Sequence, residues 1–263
     1  ILSELNAADA AERGDMSAAQ LMEIQSHELS AISGTYMLIG CALLVLLAII
    51  ILIRMPKFKD ESEAAPVGDT LRRLWSNRPY RFGVVAQFFY VGVQTCVWSF
   101  TIRYVMSELD CLEKDASMFF LYSILSFTLF RFVFTWLMKY VAPVRLLMYA
   151  SVMAIILTGG VIILSGMPSV IALVGISATM SLMFPTIYGI ALEGMPPADN
   201  KIAASGLIMA ILGGALLTPL QAWISDIAGI SASFAVSLLC FVVILGYASA
   251  IVYSRKKSLI YAD

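Results

Sequence analysis

Four polar and aromatic residues share one face of an apolar stretch near the middle of the chain. At the helical spacing i, i+3, i+7 and i+11 stand Gln87, Tyr90, Gln94 and Trp98. A side-chain amide both donates hydrogen bonds to hydroxyl groups and accepts them, and an aromatic ring offers a flat apolar surface to the C–H face of a pyranose. The pattern predicts a sugar-binding face. The alternative is that the amides join neighbouring helices and the aromatic rings only pack.

The composition indicates that this face lies within a membrane. The chain has 263 residues, of which 60% are hydrophobic and 13% are charged. Its mean hydropathy is +0.87. Soluble domains are about 45–50% apolar and about 25% charged, so a water-soluble globular protein is excluded. At about 20 apolar residues per crossing, the chain has room for roughly six to eight transmembrane helices.

Charge-free stretches divide the chain into seven predicted spans. They lie at 32–53, at 82–102, at 116–138, two within 146–192, at 202–225 and within 227–254. The stretch 146–192 is too long for one helix, and the Gly-Met-Pro-Ser sequence at 166–169 divides it. The fold class expected from this division is an all-α membrane protein.

The segments between the spans suggest how the chain is organised. Residues 17–20 have the pattern of a capping box and predict a short helix that ends near Leu29. A long charged linker follows the first span and contains an amphipathic stretch at 71–75. One span, a long linker and then a block of six spans is the order expected of half of a two-bundle transporter. We therefore expect the chain to be part of a longer protein.

The distribution of Lys and Arg predicts the orientation in the membrane. If the first span ends inside the cell, the inner loops and the C-terminal tail contain thirteen basic residues. The opposite side then contains only Arg13 and Lys114. We expect residues 1–31 to lie outside and the C-terminus to lie in the cytoplasm.

Arg131 is the one charge that interrupts the third predicted span. An intramembrane charge is costly and usually pairs with another group or lines a cavity. The spans offer no mid-membrane carboxylate, because Glu193 and Asp226 lie at predicted helix ends. We expect Arg131 to form a gating or structural pair, with a group on the inner rim or in a missing part of the protein. Direct contact with substrate is the alternative.

Two later spans have features of helix packing and bending. Pro185 stands inside an apolar span and predicts a kink, which suits a helix that moves or lines a cavity. Gly206, Ala210 and Gly214 stand at four-residue spacing, which favours close packing of helices.

The residues needed for other kinds of site are scarce. A membrane enzyme needs a nucleophile, base or metal constellation at the membrane surface, and the single histidine, His27, lies outside the spans. We expect no enzymatic activity, no metal site and no organic cofactor. The net charge of −1, with no basic patch free of the membrane, gives no sign of nucleic acid as a partner.

Several strings resemble one family of transporters. The string Gln87-x-x-Tyr90-Val91-Gly92-Val93-Gln94-Thr95-x-x-Trp98-Ser99 resembles the seventh helix of the L-fucose permeases, a branch of the fucose/galactose/glucose:proton symporters in the major facilitator superfamily. The glucose/galactose members lack the Gln-Thr-x-x-Trp-Ser continuation. The sequence around Arg131 resembles the eighth helix, and Phe184-Pro185-Thr186-Ile187 resembles the tenth. The resemblance implies that Phe184 and Tyr188 join the four seventh-helix residues in substrate binding.

The resemblance also implies an architecture. Helices six to twelve of a twelve-helix protein would be present, as a partial major facilitator fold. Residues 1–31 would be the periplasmic loop before helix six, 32–54 helix six, 55–81 the cytoplasmic central loop, 82–254 the C-terminal six-helix bundle and 255–263 a cytoplasmic tail. Sugar would bind near the midplane, between this bundle and the missing N-terminal six-helix bundle.

The function implied is L-fucose:proton symport by alternating access in the bacterial inner membrane. The proton is the coupling ion, and the family's coupling carboxylates belong to the missing bundle. The chain has Phe130 and Phe134 where glycines are expected beside the arginine motif, and Phe184 where a tyrosine is expected. Because Phe184 lacks the tyrosine hydroxyl, one possible sugar contact is absent, and a symporter for another sugar of the galactose, glucose or arabinose type is an alternative. An alternative from another class is a membrane sugar sensor that does not transport.

Overall fold

The computed structural model describes the backbone of residues 18–52 and 67–260. All regular secondary structure in these residues is helical. The chain divides into a first unit of residues 1–61 and a second unit of residues 62–263.

The first unit contains one long helix, α1, at Ala18–Leu52. Its last part, Tyr36–Leu52, is the apolar portion. The predicted end of a short helix near Leu29 is wrong, because helix α1 continues through this position to Leu52. No proline lies between residues 18 and 52, so nothing interrupts the backbone hydrogen bonds of the helix. Residue 17 of the predicted capping box lies outside the described residues.

The second unit consists of ten helices in the described part of the chain. A short helix α2 at Val67–Ser76 precedes α3 at Arg78–Leu109, α4 at Glu113–Leu137 and α5 at Pro143–Ile163. The remaining helices are α6 at Met167–Met180, α7 at Met183–Leu192, α8 at Pro197–Met209, α9 at Leu212–Ala228, α10 at Ile230–Ser233 and α11 at Ala235–Ile260. Pairs α6–α7, α8–α9 and α10–α11 each form one interrupted span. Six spans in the described residues are therefore long and apolar enough to cross a membrane.

Prolines and one capping residue fix where the spans begin. Pro143, Pro168 and Pro197 stand in the first turns of α5, α6 and α8, where the missing N–H leaves no helical hydrogen bond unmade. Asn77 caps α3, because its side chain accepts a hydrogen bond from the backbone N–H of Tyr80 at 3.2 Å. The predicted second span, at 82–102, is longer in the structure because this cap lies at residue 77.

The span 167–192 is interrupted at Ser181 and Leu182. Pro185 has no backbone N–H, so it cannot donate to the carbonyl of Ser181 four residues earlier. The predicted kink is present, one helical turn before the proline that causes it.

Helix α3 lies at the centre of the bundle and packs against α4, α7, α9 and α11. Its contact with α9 is a close backbone approach. A Cβ atom added to Gly213 would overlap the carbonyl of Phe88, and one added to Gly214 would lie 2.7 Å from Oγ1 of Thr95. A Cβ atom on Gly206 would overlap the hydroxyl of Tyr80. The predicted close packing of the small-residue stripe is confirmed.

Helix α4, in contrast to α3, is mostly exposed in the described bundle. Only Ala116 and Ser123 of its residues are buried within the described bundle. Its large apolar side chains, including Leu129, Phe132 and Trp136, are exposed.

Candidate functional site

An open recess of about 470 Å³ lies between α3 and α4. The residues that line it are Gln94, Thr95, Trp98, Ser99 and Phe120. Four of them come from two adjacent turns of α3, because positions i, i+1, i+4 and i+5 fall on one side of a helix. The amide of Gln94 forms no hydrogen bond with the described part of the chain. It is therefore free to bind a ligand in the recess.

The indole ring of Trp98 is held in one orientation. Its Nε1 donates to the hydroxyl of Ser177 on α6 at 3.3 Å. On α4, the ring of Phe127 meets the indole edge to face, with centroids 5.2 Å apart. Two helices thus fix the plane that Trp98 presents to the recess.

Gln87 lies in a different environment from Gln94. The side chain is fully buried, and neither its Nε2 nor its Oε1 has a hydrogen-bond partner in the described part of the chain. It does not line the recess. The two amides share a helix face, but seven residues separate them by about 10 Å along the axis. The face is covered at the level of Gln87 and open at the level of Gln94.

Tyr90, Phe184 and Tyr188 form an aromatic column beside the interruption of the span 167–192. The buried hydroxyl of Tyr90 donates to the carbonyl of Met180 at 3.0 Å. Its ring meets Phe184 edge to face at 6.0 Å, and Phe184 stacks on Tyr188 at 6.4 Å. The structure therefore separates the six predicted substrate-binding residues into the recess pair, this column and Gln87.

A second cavity, of about 450 Å³, is lined mainly by residues of α4, α5 and α7. Among the residues that line it are Arg131, Ser181, Pro185, Glu193 and Arg255. Nη1 of Arg131 donates to the carbonyl of Ser181 at 3.3 Å. In the described part of the chain the partner of Arg131 is thus a backbone carbonyl and not a carboxylate. Glu193 instead pairs with Arg255.

The sequence analysis did not identify the carbonyl of Ser181 as the partner of Arg131. The signal was the proline, because Pro185 leaves the carbonyl of Ser181 without its helical donor. It also missed Phe120 and Phe127, which belong to a helix with aromatic residues on several faces. Their roles depend on which face of α4 meets α3.

Carboxylates at the helix ends connect the bundle at both of its faces. At one face Glu108 accepts hydrogen bonds from the backbone N–H of Gly166 at 2.9 Å and from the hydroxyl of Ser231 at 3.1 Å. At the other face Asp199 accepts from Arg73 of α2, whose Nη2 is 2.7 Å away. The hydrogen bonding between Arg73 and Asp199 raises the pKa of the Arg73 guanidinium above its ordinary value. The short helix α2 is thereby fixed to the bundle.

Comparisons with known proteins agree with this architecture. No family model matches the chain. A solved structure of a major facilitator superfamily transporter, in the outward conformation, matches 95% of the chain with a TM-score of 0.78 and 30% identity. The chain has the fold of the major facilitator superfamily. The match covers 61% of that structure, so the fold present is a partial one. A structure of a variant of the Escherichia coli fucose:proton symporter gives the same TM-score, 0.78.

Curated relatives are named as sugar transporters. The L-fucose-proton symporter of Haemophilus influenzae is 38% identical in an alignment of 240 residues, and the match covers 88% of this chain and 55% of the relative. The L-fucose-proton symporter of Escherichia coli is 32% identical, over 89% of this chain and 54% of the relative. A putative glucose/galactose transporter of Helicobacter pylori is 31% identical over 78% of this chain and 51% of the relative. The chain spans about half the length of the curated relatives it matches.

The predicted fold class, a partial major facilitator fold, is confirmed. The apolar spans and the transporter relatives make this chain a multi-pass membrane protein. The ends of the predicted 1–31, 55–81 and 255–263 segments extend outside the described residues, as do residues 53–54 of the first predicted span.

Proposed function

We propose that this chain is the C-terminal half of a proton-coupled L-fucose symporter that works by alternating access. One observation carries the proposal. Four of the five residues that line the recess are Gln94, Thr95, Trp98 and Ser99. They are the Gln-Thr-x-x-Trp-Ser continuation through which the seventh-helix string resembles the L-fucose permeases rather than the glucose/galactose members. The part of the seventh helix that is specific to these permeases is thus the part open to a ligand.

The chemistry of the recess suits half of a sugar site. The free amide of Gln94 can donate to one hydroxyl and accept from another. Thr95 donates to the carbonyl of Val91 at 2.8 Å, so its oxygen lone pairs are left to accept a hydrogen bond from a ligand. Trp98 offers a ring of fixed orientation to the apolar face of the sugar. The remaining contacts would come from the N-terminal bundle.

The interrupted span 167–192 supports a moving segment. Helices α6 and α7 are separate segments joined at Ser181 and Leu182, and Pro185 prevents them from joining into one regular helix. Segments of this kind can tilt relative to one another, as alternating access requires. Arg131 would act as a tether between α4 and this joint, which agrees with the structural or gating role expected of it.

Proton coupling would require groups from the N-terminal half. In the six long described spans, Asp and Glu lie only in the terminal turns. Glu108 and Asp199 are already engaged in hydrogen bonds. The chain therefore supplies sugar contacts and a moving segment, and the titrating carboxylate belongs to the other bundle.

The proposed location is the bacterial inner membrane, with the C-terminus in the cytoplasm. The excess of Lys and Arg in alternate loops and in the C-terminal tail supports this orientation. A thiol introduced at Glu113 would be labelled from outside and one at Lys256 only from inside. Equal labelling from both faces would contradict the orientation.

The function is tested by uptake of radiolabelled L-fucose in cells that express the full-length protein and lack another fucose transporter. We expect uptake together with alkalinisation of the medium when fucose is added. Uptake of galactose or glucose without fucose would favour the other hexose symporters. Binding of sugar without uptake would favour a sensor.

A further inference from the structure

The short helix α2 is held against the bundle in one fixed rotation. Nε and Nη2 of Arg73 donate to the two carboxylate oxygens of Asp199 at 3.0 and 2.7 Å. The hydroxyl of Thr70 donates to Asp199 as well, at 3.0 Å. Leu74, on the same side of the helix, is only 4% exposed. A two-pronged ion pair and a buried leucine together prevent the helix from rolling.

This rotation leaves an apolar strip of α2 uncovered. Leu71 is 53% exposed and Trp75 is 75% exposed. At about 100° per residue the two lie about 40° apart around the helix, and each is about 160° from Arg73. The strip therefore faces away from the bond with Asp199. Two large apolar side chains side by side form a contiguous exposed patch, and patches of this kind bordered by polar residues mark interaction sites.

Basic residues border the strip. Arg72 lies about 60° from Trp75 around the helix, and Arg78 begins the next helix. Both side chains are exposed, and neither forms a hydrogen bond or ion pair with the described part of the chain. The acidic residue of α2, Asp69, lies about 120° from Trp75, on another side. The uncovered strip is thus apolar at its centre and positive at its edge.

The strip lies at the level where the spans end. Asn77 alone separates α2 from the span Arg78–Leu109. Asp199, to which α2 is bonded, is the third residue of the span Pro197–Ala228. Span ends lie beside the head groups of a bilayer, where tryptophan and arginine are enriched. Phe82, in the second turn of α3, is a further large apolar side chain exposed near this span end, at 59%.

We infer that α2 is a docking surface for anionic phospholipid head groups. Leu71 and Trp75 enter the boundary between head groups and acyl chains, and Arg72 and Arg78 contact the phosphates. The partner is a lipid surface rather than a protein because the strip is continuous with a membrane span and has cations at its edge. The inference requires only that the chain lies in a membrane, so it stands apart from the proposed transport of fucose.

Photo-cross-linking from single positions of the full chain tests this inference. The photoreactive residue p-benzoylphenylalanine replaces Trp75 in one variant and Ser76 in a matched control. Ser76 is the next residue and is also exposed, but it lies about 100° further round the helix. Each variant is purified, reconstituted in vesicles, irradiated and analysed by mass spectrometry. We expect lipid adducts from position 75 to exceed those from position 76 several-fold.

The anionic part of the inference is tested with two lipid compositions. Vesicles of phosphatidylcholine with an equal share of phosphatidylglycerol are compared with vesicles of phosphatidylcholine alone. The first should give the higher adduct yield at position 75. The combined change Arg72→Gln and Arg78→Gln should remove that increase, since one interfacial basic residue contributes about fivefold to binding. The control Arg103→Gln removes a cation near the far end of α3 and should leave the increase unchanged.

Three results would overturn the inference. Equal lipid adducts at positions 75 and 76 would show that the strip does not face the bilayer. Cross-links from position 75 to a second copy or to another protein segment would assign the strip to a protein partner. Equal yields in the two vesicle types would remove the anionic head group as the ligand.

Discussion

Arg131 donates a hydrogen bond to the carbonyl oxygen of Ser181 at 3.3 Å. In a regular helix that carbonyl would accept from the residue four positions later, which here is Pro185. The guanidinium on α4 therefore replaces a donor that the sequence of α7 cannot provide. The hydrogen bond gives the intramembrane charge of Arg131 a partner, and it connects α4 to the interruption between α6 and α7.

This relationship predicts an energetic coupling between Arg131 and Pro185. Arg131→Met should lower the unfolding temperature of the chain in detergent, because the carbonyl of Ser181 loses its donor. In a Pro185→Ala background the restored N–H can serve that carbonyl, so the same change should cost less. We expect a coupling energy of about 1 kcal/mol from the double-mutant cycle. Strictly additive effects would contradict the proposed replacement, and Arg103→Met serves as a control for loss of charge.

The recess predicts different roles for the two glutamines of α3. Gln94→Ala in the full-length transporter should weaken L-fucose binding roughly 2- to 12-fold, the equivalent of one neutral hydrogen bond of about 0.5–1.5 kcal/mol. The unfolding temperature should change little, because this amide has no partner to lose within the described part of the chain. Binding is measured on purified protein by titration with L-fucose. Unchanged affinity would remove Gln94 from the sugar site.

Gln87 is expected to affect stability rather than binding. Its buried amide has no hydrogen-bond partner in the described part of the chain. Gln87→Leu keeps a similar volume and removes the cost of burying the unpaired amide, which is about 1–3 kcal/mol. The unfolding temperature should rise and L-fucose affinity should stay the same. A loss of affinity in a stable Gln87→Leu protein would instead support the sugar contact that the sequence predicts.

Trp98 is expected to depend on Ser177 for its orientation. Trp98→Ala should weaken L-fucose binding through the loss of the ring surface. Ser177→Ala removes only the hydrogen bond to the indole, so it should weaken binding by a smaller factor, about 2- to 5-fold for a bond of about 0.5–1 kcal/mol. The control Ser205→Ala changes an exposed serine on α8 and should not alter binding. If Ser177→Ala weakened binding more than Trp98→Ala did, the positioning role would be wrong.

The crossing of α3 and α9 predicts a strong effect at one glycine and a weak one at another. Gly213→Ala should destabilise the chain by about 1–3 kcal/mol or more, because the added methyl group would overlap the carbonyl of Phe88. Gly189→Ala lies on α7 with no atom within 4 Å of the added carbon, so it should be nearly neutral or slightly stabilising. Thermal unfolding of the two purified variants makes the comparison. Similar unfolding temperatures would show that α3 and α9 do not approach this closely.

Glu108 is expected to hold one face of the bundle together. Glu108→Ala removes the acceptor for both the N–H of Gly166 and the hydroxyl of Ser231, and should cost about 1.5–3 kcal/mol because the bonds involve a charged group. Glu113→Ala, in the exposed first turn of α4, is the matched control and should cost less than about 1 kcal/mol. Urea or thermal unfolding measures both. Equal effects would contradict the role of Glu108.

The sequence by itself determined the number of spans in the bundle, because crossing a bilayer requires about 20 apolar residues and the charged residues, apart from Arg131, lie near the ends of the apolar stretches. It also placed the kink before Pro185, since a proline removes a helical hydrogen bond wherever it stands. Both are local consequences of residue type and order.

The tertiary structure decided which of the marked residues face a ligand. Periodicity places Gln87 and Gln94 on one helix face, but only the packing of the bundle buries the first and leaves the second open to the recess. The partner of Arg131 was hidden for the same reason, because the carbonyl of Ser181 lies 50 positions further along the chain. A helical pattern specifies direction around an axis. The side chains that pack against a helix at each turn come from distant parts of the sequence, and only tertiary packing brings them into contact.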